Sequence, residues 1–457
     1  MLVRSAIGWV FFGSIDVHNA MDDAAYLLGG TPPSALDVPY LPGVQLLIWA
    51  AGVIAFHIAL PAAFLFKLAA CVFDAAIAAM LAETRGPRTG WLYAFAPVPI
   101  LIFAVHGQWD SICFALVLGS LLLLRREGNR AAFTAGALFV LAAIVKPVVV
   151  PIALLFLERK RLTAIAAGMA ACLGIWALAL WLVGDPFSQK MVQHVLNYAQ
   201  HGVTYFGSPY ALGINGNRIL LTILPVAVLV PLYWSGRVQR EDAVLLFYAL
   251  ILATCGLAAQ YLTWIFPFLL LRDHVRYAAL YSLVAGVFLV TFYVSPFGGV
   301  GGYNFENLSA FAPLKSMSWL TPTAANAPLK LTVVRSLGDY AIPLLCIGVL
   351  FLKRPDVAPT SPSPMSLLVA GAVVAIMVVA AATLPWPSYP EFIERRETRI
   401  QAYNVETFRA PPDPKRQLWR IPSGTRAHPL AATNLGYAWI VAWSVISATR
   451  GAPARDR

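Results

Sequence analysis

The sequence carries very little charge. Asp, Glu, Lys and Arg make up 12% of its 457 residues, whereas a soluble globular chain carries about 25%. Hydrophobic residues make up 59%, and the mean hydropathy is +0.70. Apolar runs near the length of about 20 residues that a membrane-spanning helix needs recur along the chain. The composition therefore excludes a soluble protein and predicts an all-α, polytopic integral membrane protein of about 11–13 helices, several of them short or broken.

Cysteine is scarce as well. The five cysteines are Cys71, Cys113, Cys172, Cys255 and Cys346. All five lie inside apolar runs, their number is odd, and no two are spaced as CxxC. They are therefore interpreted as small buried hydrophobic residues, and neither a disulfide framework nor a cysteine metal site is expected.

The first residues lack the pattern of a cleavable signal peptide. Residues 1–14 hold one arginine and a short apolar run, without a small-residue cleavage site. The opening run, residues 6–15, is too short to cross a bilayer. Either the first helix is short and sits in a thinned region, or the chain begins upstream of Met1; we favour the second.

Positive charge is unevenly distributed, although the net charge of +11 is high. Loops assigned to the cytoplasm hold 14 Lys and Arg, at positions 85, 88, 125, 126, 130, 159–161, 237, 240, 272, 276, 353 and 354. The opposite side, from residue 14 to residue 336, holds six. By the positive-inside rule this asymmetry orients the chain, and the charge needs no nucleic-acid partner. The first outer loop, residues 14–43, contains Asp16, Asp22, Asp23 and Asp37 and no Lys or Arg.

The chain divides into a transmembrane catalytic domain, residues 1–385, and a basic, proline-containing tail, residues 386–457. Residues 430–448 are a candidate last helix, which decides the side on which the tail ends. Residues 44–56 are predicted as a short interfacial or re-entrant helix, and residues 61–81 as a crossing helix. On that crossing helix Lys67 and Asp74 share a face, so we expect an ion pair inside the bundle; the alternative is that Lys67 meets an anion.

The most informative segment is the turn at residues 105–110, between the apolar runs 91–104 and 111–124. It places His106, Gln108 and Asp110 together, which is costly in a membrane unless they line a wet cavity walled by protein. We therefore predict a functional site here. The alternative is a polar turn between helices that only touches water.

Further polar residues fall on the same predicted side. Lys146-Pro147 breaks a helix between two basic loops, so that a cation lies beside free carbonyls; Gln260 and Tyr261 lie at a similar tip. Together with the acids of the first loop, these residues supply carboxylates and cations at one surface. Group transfer from a lipid-linked phosphate needs both, as a base and as a charge opposite the leaving phosphate. A transporter also uses acids and lysines inside the membrane.

Several of these motifs resemble the GT-C superfamily of glycosyltransferases. The residues that carry the resemblance are Asp16, the segments 25–30 and 40–42, His106-Gly107-Gln108-Trp109-Asp110, Lys146-Pro147 and Gln260-Tyr261-Leu262-Thr263-Trp264. They are similar to bacterial polyprenol-phosphate-dependent mannosyltransferases of the phosphatidylinositol-mannoside type. The resemblance covers residues 16 to about 264 and leaves out the tail.

The resemblance implies a metal-independent, inverting transfer of one sugar, often mannose, from a polyprenyl phosphate at the outer leaflet. By position, Asp16 matches the catalytic base, Gln108 and Asp110 match the motif that shapes the sugar pocket, and Lys146 matches the cation near the donor phosphate. The other candidate substrate-binding residues are His106, Lys67, Asp22, Gln260 and Tyr261. Relatives more often have a tyrosine three or four residues after the first aspartate, where this chain has Asn19 or Ala20, so Asp22 and Asp23 remain alternatives to Asp16.

The sequence thus predicts a multi-pass glycosyltransferase of a bacterial inner membrane. Its expected partners are a polyprenyl-phosphate sugar, a lipid or glycan acceptor and the bilayer, with no nucleic acid, no cofactor and no metal. The alternatives are a lipid or solute transporter and a pseudoenzyme subunit of a cell-envelope complex. A transporter is expected to show two halves of matching topology, whereas the polar residues here cluster in the first third of the chain.

Overall fold

The computed structural model describes residues 1–10, 17, 20, 23–24, 42–58, 62–182, 218–256, 258–293, 332–353 and 365–385, and every regular element among them is helical. In chain order the helices are α1 (Leu2–Val10), α2 (Pro42–His57), α3 (Ala62–Arg85), α4 (Pro87–Ala94), α5 (Pro97–His106), α6 (Asp110–Leu124), α7 (Asn129–Val145), α8 (Pro147–Phe156), α9 (Leu162–Leu182), α10 (Arg218–Trp234), α11 (Arg240–Thr254), α12 (Ala259–Leu271), α13 (Val275–Tyr293), α14 (Thr332–Phe351) and α15 (Met365–Thr383).

Five of these helices, α3, α9, α13, α14 and α15, are long and apolar enough to cross a membrane. Helices α4 and α5 together make a sixth candidate span, bent by 45° at the break between them. This confirms the prediction of an all-α, polytopic membrane protein. The total of 11–13 membrane helices and the two-part division of the chain stay predictions.

Helix α6 lies at the centre of the bundle. All of its residues from Asp110 to Leu124 are buried, and it packs against α3 and α7. Two serine hydroxyls on α6 donate to neighbouring backbones: Ser111 Oγ to Ala70 O at 2.8 Å on α3, and Ser120 Oγ to Ala135 O at 2.7 Å on α7. Helices α9 and α15 are instead mostly exposed and apolar, as helices that face lipid are.

The predicted cytoplasmic loops meet at one end of the bundle. There Arg125 forms a 2.8 Å ion pair with Glu241, and Arg272 forms a 2.6 Å ion pair with Asp242. Arg85 Nε donates to Leu271 O at 2.6 Å. These contacts join the C-terminal ends of α3, α6 and α12 to the start of α11, which we call the basic end. Four of the basic loops thus lie at one end of the bundle, while the topology and the side of the membrane that this end faces stay predictions.

One carboxylate of the basic end bridges two arginines. Glu158 pairs with Arg161 at 2.5 Å and with Arg240 at 3.4 Å. Burial alone would raise the pKa of Glu158, but the hydrogen bonds and charges of the two arginines outweigh it and hold that pKa below its usual value. Arg161 also donates to Leu124 O at 2.5 Å, so the network anchors the C-terminus of α6.

The helices that lead from the basic end toward the predicted site are short. Helix α6 has 15 residues, which at 1.5 Å per residue gives about 22 Å. The hydrocarbon core of a bilayer is about 30 Å thick. Helix α6 is therefore about 8 Å shorter than the hydrocarbon core, so that Asp110 would lie inside this core if the basic end sat at its opposite edge.

Helix α2 begins and ends on the same side of the bundle. At its start, a Cβ on Gly43 would lie 3.0 Å from Ile144 Cγ2, in the last turn of α7. At its end, His57 Nε2 contacts Pro385 O at 2.7 Å, just after α15. Helix α15 starts beside Gly119, in the half of α6 nearer the basic end, so its C-terminus lies at the opposite end. Both ends of α2 therefore contact the end of the bundle where α7 and α15 terminate, and most of its described side chains are buried; that it is an interfacial or a re-entrant helix stays a prediction.

The predicted ion pair between Lys67 and Asp74 is wrong in its cation. Asp74 pairs with Arg4 of α1 instead. The Arg4 guanidinium also donates to Tyr93 O at 3.0 Å and to Ala94 O at 3.0 Å. Both partners are buried, so α1 is fixed to α3 and to the end of α4 by a charge that has no access to water.

Of the remaining structural predictions, the one on the cysteines is confirmed and the others concern residues outside the described ranges. All five cysteines are free thiols, and Cys71, Cys113 and Cys346 are buried, which confirms that they form no disulfides. The predicted last helix at 430–448, the basic tail and most of the first outer loop lie outside the described residues.

Candidate functional site

The segment 105–110 ends one helix and begins another. The last seven residues of α5, Ile100–His106, form a π-helix. This form is rare in proteins as a whole, and where it occurs it is often part of a functional site. Gly107 ends it with φ +87° and ψ +32°, a left-handed conformation that glycine adopts without strain. The N–H groups of Gly107 and Gln108 both donate to Ile102 O, at 3.0 and 3.2 Å. The turn then places Asp110 in the first turn of α6.

Gly107 is also a point of close approach. A Cβ at this position would overlap Cγ2 of Val17 and would lie 3.1 Å from Lys67 Cγ. Val17 belongs to the first outer loop and Lys67 to α3. The structure therefore brings Val17, the buried Lys67 and the 105–110 turn together, and only a residue without a side chain fits between them.

The Lys146-Pro147 break is present as the sequence predicts. Helix α7 ends at Val145, Lys146 is extended with φ −150° and ψ +119°, and Pro147 begins a 3₁₀ turn that continues to Ile152. Proline favours an extended conformation in the residue before it, and this conformation turns Lys146 out of the line of α7. Its side chain then reaches the start of α6.

There Lys146 meets Asp110. The ammonium Nζ lies 2.7 Å from both Oδ1 and Oδ2 of the carboxylate, and Trp264 Nε1 donates to Oδ1 at 2.6 Å. The Asp110 side chain is 1% exposed, while that of Lys146 is 23% exposed. The carboxylate is thus buried, while the lysine side chain that pairs with it is partly exposed.

Two aromatic rings complete the arrangement. Lys146 Nζ lies 5.8 Å from the centroid of the Tyr261 ring and 5.7 Å from that of Trp264, within the range of cation–π attraction. The two rings lie 4.1 Å apart with their planes 32° from parallel. We call Asp110, Lys146, Tyr261 and Trp264 the Asp110 cluster. Its members come from three stretches of sequence that are far apart.

The turn that carries the aromatic residues is well fixed. Residues Ala259–Thr263 form a 3₁₀ turn, in which Trp264 N–H donates to Tyr261 O at 2.9 Å. Tyr281 of α13 donates its hydroxyl to Leu262 O at 2.9 Å. Gln260 contributes its backbone carbonyl, which accepts from Thr263 Oγ1 at 2.9 Å. Backbone and side-chain bonds thus hold the positions of Tyr261 and Trp264.

The other predicted site residues have varied positions. His106 and Gln108 are buried at the turn, and Lys67 is buried beside it. Asp23 of the first loop is buried as well. Asp16 and Asp22 lie outside the described residues. Residues 106–110, Lys146 and residues 260–264 therefore converge as predicted, whereas the choice of the catalytic aspartate stays a prediction.

Two residues of this region were missed by sequence reasoning. Trp264 was noted only as the end of a family motif, although it touches Asp110 directly. Its spacing of three from Tyr261 was the available signal, because residues three apart share one side of a 3₁₀ turn. Arg4 was passed over as part of a short N-terminal run, and a lone arginine inside an apolar segment was the signal there.

The arrangement offers a fixed cation with a buried counter-charge and an aromatic border. Such a cation stabilises negative charge on a phosphate that departs from a sugar. Among the described residues no group of three or more His, Cys, Asp and Glu is placed to hold a metal ion; that the chemistry needs no metal stays a prediction.

Fold and site together define a polytopic helical membrane protein with an acid–base cluster recessed at the ends of short helices. Residues 39–296, more than half of the chain, match the model of Glycosyltransferase family 87, and the chain therefore belongs to this family, which is of GT-C type. No curated protein and no solved structure matches the chain. The prediction of a membrane glycosyltransferase is thereby confirmed over that of a transporter. The matched region contains the whole Asp110 cluster and begins after Asp16.

Proposed function

We propose that this glycosyltransferase moves a single sugar, expected to be mannose, from a polyprenyl-phosphate donor to a lipid or glycan acceptor. The reaction takes place on the extracytoplasmic face of a bacterial inner membrane, without metal or other cofactor. The observation that carries the proposal is the Asp110 cluster, in which the partly exposed Lys146 is anchored on the buried carboxylate of Asp110. A lipid-linked phosphate is a substrate that can reach this cation from within the bilayer.

The proposed chemistry is one displacement. The oxygen of an acceptor hydroxyl attacks C1 of the sugar, and the bond between C1 and the phosphate oxygen breaks from the opposite side. The hydroxyl proton passes to a carboxylate, and the electron pair leaves on polyprenyl phosphate, which gains one negative charge. Attack from the opposite side inverts C1. Lys146 stabilises the charge that develops on the leaving phosphate.

Asp16 is the proposed base, with Asp22 and Asp23 as alternatives. Support comes from the residue that follows it, because Val17 packs against Gly107 in the 105–110 turn. His106, Gln108 and Lys67 belong to the same neighbourhood and are proposed to bind the sugar and the phosphate. Gln260 and Tyr261 are proposed to border the donor from α12.

The first test measures transfer of radiolabelled sugar from polyprenyl-phosphate-mannose by membranes that hold equal amounts of each variant. We expect label in a lipid or glycan product with wild type and none with Asp16→Asn, while Asp22→Asn and Asp23→Asn remain active. Full activity of Asp16→Asn would remove Asp16 as the base. If wild type transfers no mannose, the same assay with other polyprenyl-phosphate sugars follows, and inactivity with all of them would overturn the proposed donor class.

The phosphate role of Lys146 has its own test. Lys146→Ala is expected to raise the apparent KM for the donor at least tenfold, since it removes a hydrogen-bonded charge, and to leave the KM for the acceptor nearly unchanged. Lys160→Ala, an exposed lysine at the basic end, is the matched control and should behave like wild type. An unchanged donor KM in Lys146→Ala would contradict the phosphate role.

A further inference from the structure

The aromatic residue that touches Asp110 has no role in the proposed chemistry so far. Trp264 donates its indole N–H to Oδ1 of Asp110 at 2.6 Å. It is buried, and among the described residues it lies within a group of rings with Phe114 and Tyr248, whose centroids are 6.2 and 5.9 Å away. The packing of these rings therefore fixes the position of the indole N–H relative to the carboxylate. A donor and acceptor in these positions form a directed bond of the charge-assisted kind.

The carboxylate in turn fixes the ammonium. Lys146 Nζ lies 2.7 Å from each oxygen of Asp110. The position of the ammonium therefore depends on the orientation of the carboxylate plane. The terminal torsion of an aspartate is broad when nothing restrains it, and the Trp264 bond to one of the two oxygens supplies that restraint. The lysine side chain is long and flexible, which makes its position depend on this partner.

We infer that Trp264 is a positioning residue for the transfer reaction, which acts through Asp110 to hold the Lys146 ammonium where the donor phosphate binds. The inference rests on the proposed function, since it gives Lys146 a phosphate to bind. Trp264 makes no contact with substrate in this account. It is covered by its neighbours, whereas Lys146 is the accessible member of the chain of three.

Positioning predicts a specific kinetic effect. Trp264→Phe keeps a ring in the buried group and removes the N–H. The donor KM is expected to rise on the order of tenfold, because a misplacement of a charged group by a fraction of an ångström weakens its bond to the phosphate. The acceptor KM is expected to stay within about twofold. Affinity for polyprenyl phosphate, measured on purified protein without turnover, should fall by a similar factor.

A matched control lies in the same group of rings. Tyr248 is buried against Trp264, and its hydroxyl has no hydrogen-bond partner in the part of the chain that the structure describes. Tyr248→Phe therefore removes one buried hydroxyl from the group of rings around Trp264 and leaves the hydrogen bonds of Asp110 in place. Its donor KM and its affinity for polyprenyl phosphate are expected to equal those of wild type.

A double-mutant cycle separates positioning from packing. If Trp264 acts only through the ammonium, Trp264→Phe has no further effect on donor KM or polyprenyl-phosphate affinity in a Lys146→Ala background. Equal effects in both backgrounds, a fall in kcat with unchanged donor KM, or wild-type behaviour of Trp264→Phe would each overturn the inference. If Trp264→Phe is recovered in poor yield, Asp110→Asn replaces it in the cycle, since it removes the carboxylate through which Trp264 is inferred to act on Lys146.

The cycle also distinguishes the two proposals. If Lys146→Ala binds polyprenyl phosphate like wild type, the phosphate role of Lys146 is wrong and the inference falls with it. If Lys146→Ala is impaired while Trp264→Phe is not, the phosphate role stands and only the positioning role of Trp264 is wrong.

Discussion

Gly107 offers a sharp test of how the first outer loop and the 105–110 turn fit together. Gly107→Ala adds a single methyl group at a residue with φ +87° and ψ +32°. A left-handed conformation costs an L-residue about 1–2 kcal/mol. The new Cβ would also overlap Cγ2 of Val17 and lie 3.1 and 3.2 Å from Cγ and Cδ of Lys67. The strain affects stability, and the overlap affects the position of the first loop.

The size of the second effect follows from van der Waals distances. Carbon atoms separate to about 3.5–4.0 Å, so Val17 must move by about an ångström. A misplacement of about 1 Å in a catalytic arrangement costs on the order of 100-fold in rate. We therefore expect Gly107→Ala to lose about 100-fold in transfer activity per folded molecule, measured with radiolabelled donor after the folded fraction has been determined by size-exclusion chromatography in detergent.

Two other glycines serve as controls for backbone strain. Gly86 and Gly128 have φ +95° and +97°, and a Cβ on either would meet no atom within 4 Å. Gly86→Ala and Gly128→Ala should therefore lower the thermal midpoint in detergent through backbone strain and keep nearly full specific activity. If Gly107→Ala retains specific activity within twofold of Gly128→Ala, the argument that the first loop seats on this glycine is refuted.

Two further predictions concern stability, measured as thermal midpoints in detergent. Asp74→Asn should destabilise the protein by about 3–5 kcal/mol, because it leaves Arg4 charged and buried without its counter-ion; a midpoint equal to that of wild type would contradict the buried ion pair. At the basic end, burial and then the charge of Arg272 lower the pKa of His274 from 6.5 to about 4. The folded protein therefore binds the proton less readily than the unfolded chain, so stability is lost as the pH falls from 6.5 toward 4. His274→Asn should make the midpoint less dependent on pH over this range, and an unchanged slope would count against the lowered pKa.

The membrane architecture was predictable because its signals are local. Apolar length fixes which segments can span, and the basic loops at Arg85, Arg125, Arg240 and Arg272 predicted which helix ends meet. The break at Lys146 followed from the proline after it. Each of these features depends on neighbouring residues in the chain and on the cost of charge in lipid.

The partners of buried charges were not predictable in the same way. Asp74 was assigned to Lys67 because helical spacing puts both on one face, yet its cation is Arg4, seventy residues away. Trp264 reaches Asp110 across more than 150 positions. Such pairings depend on which helices become neighbours, and spacing along one helix carries no information on that. The choice of the catalytic base among Asp16, Asp22 and Asp23 stays a prediction, because it also depends on contacts between residues that are far apart in the chain.

The shortness of α6 ties this enzyme to the lipids around it. If the basic end lies at one edge of the hydrocarbon core, the Asp110 cluster lies about 8 Å inside the other edge. The proposed reaction then requires either that the bilayer thins at this position or that the phosphate of the proposed donor sinks below its neighbours. Each ångström of hydrophobic mismatch costs a fraction of a kcal/mol, so the whole offset amounts to a few kcal/mol. Acyl-chain length thus becomes a parameter of the proposed reaction, and we expect a thin bilayer to present the proposed donor to Lys146 at lower energy than a thick one.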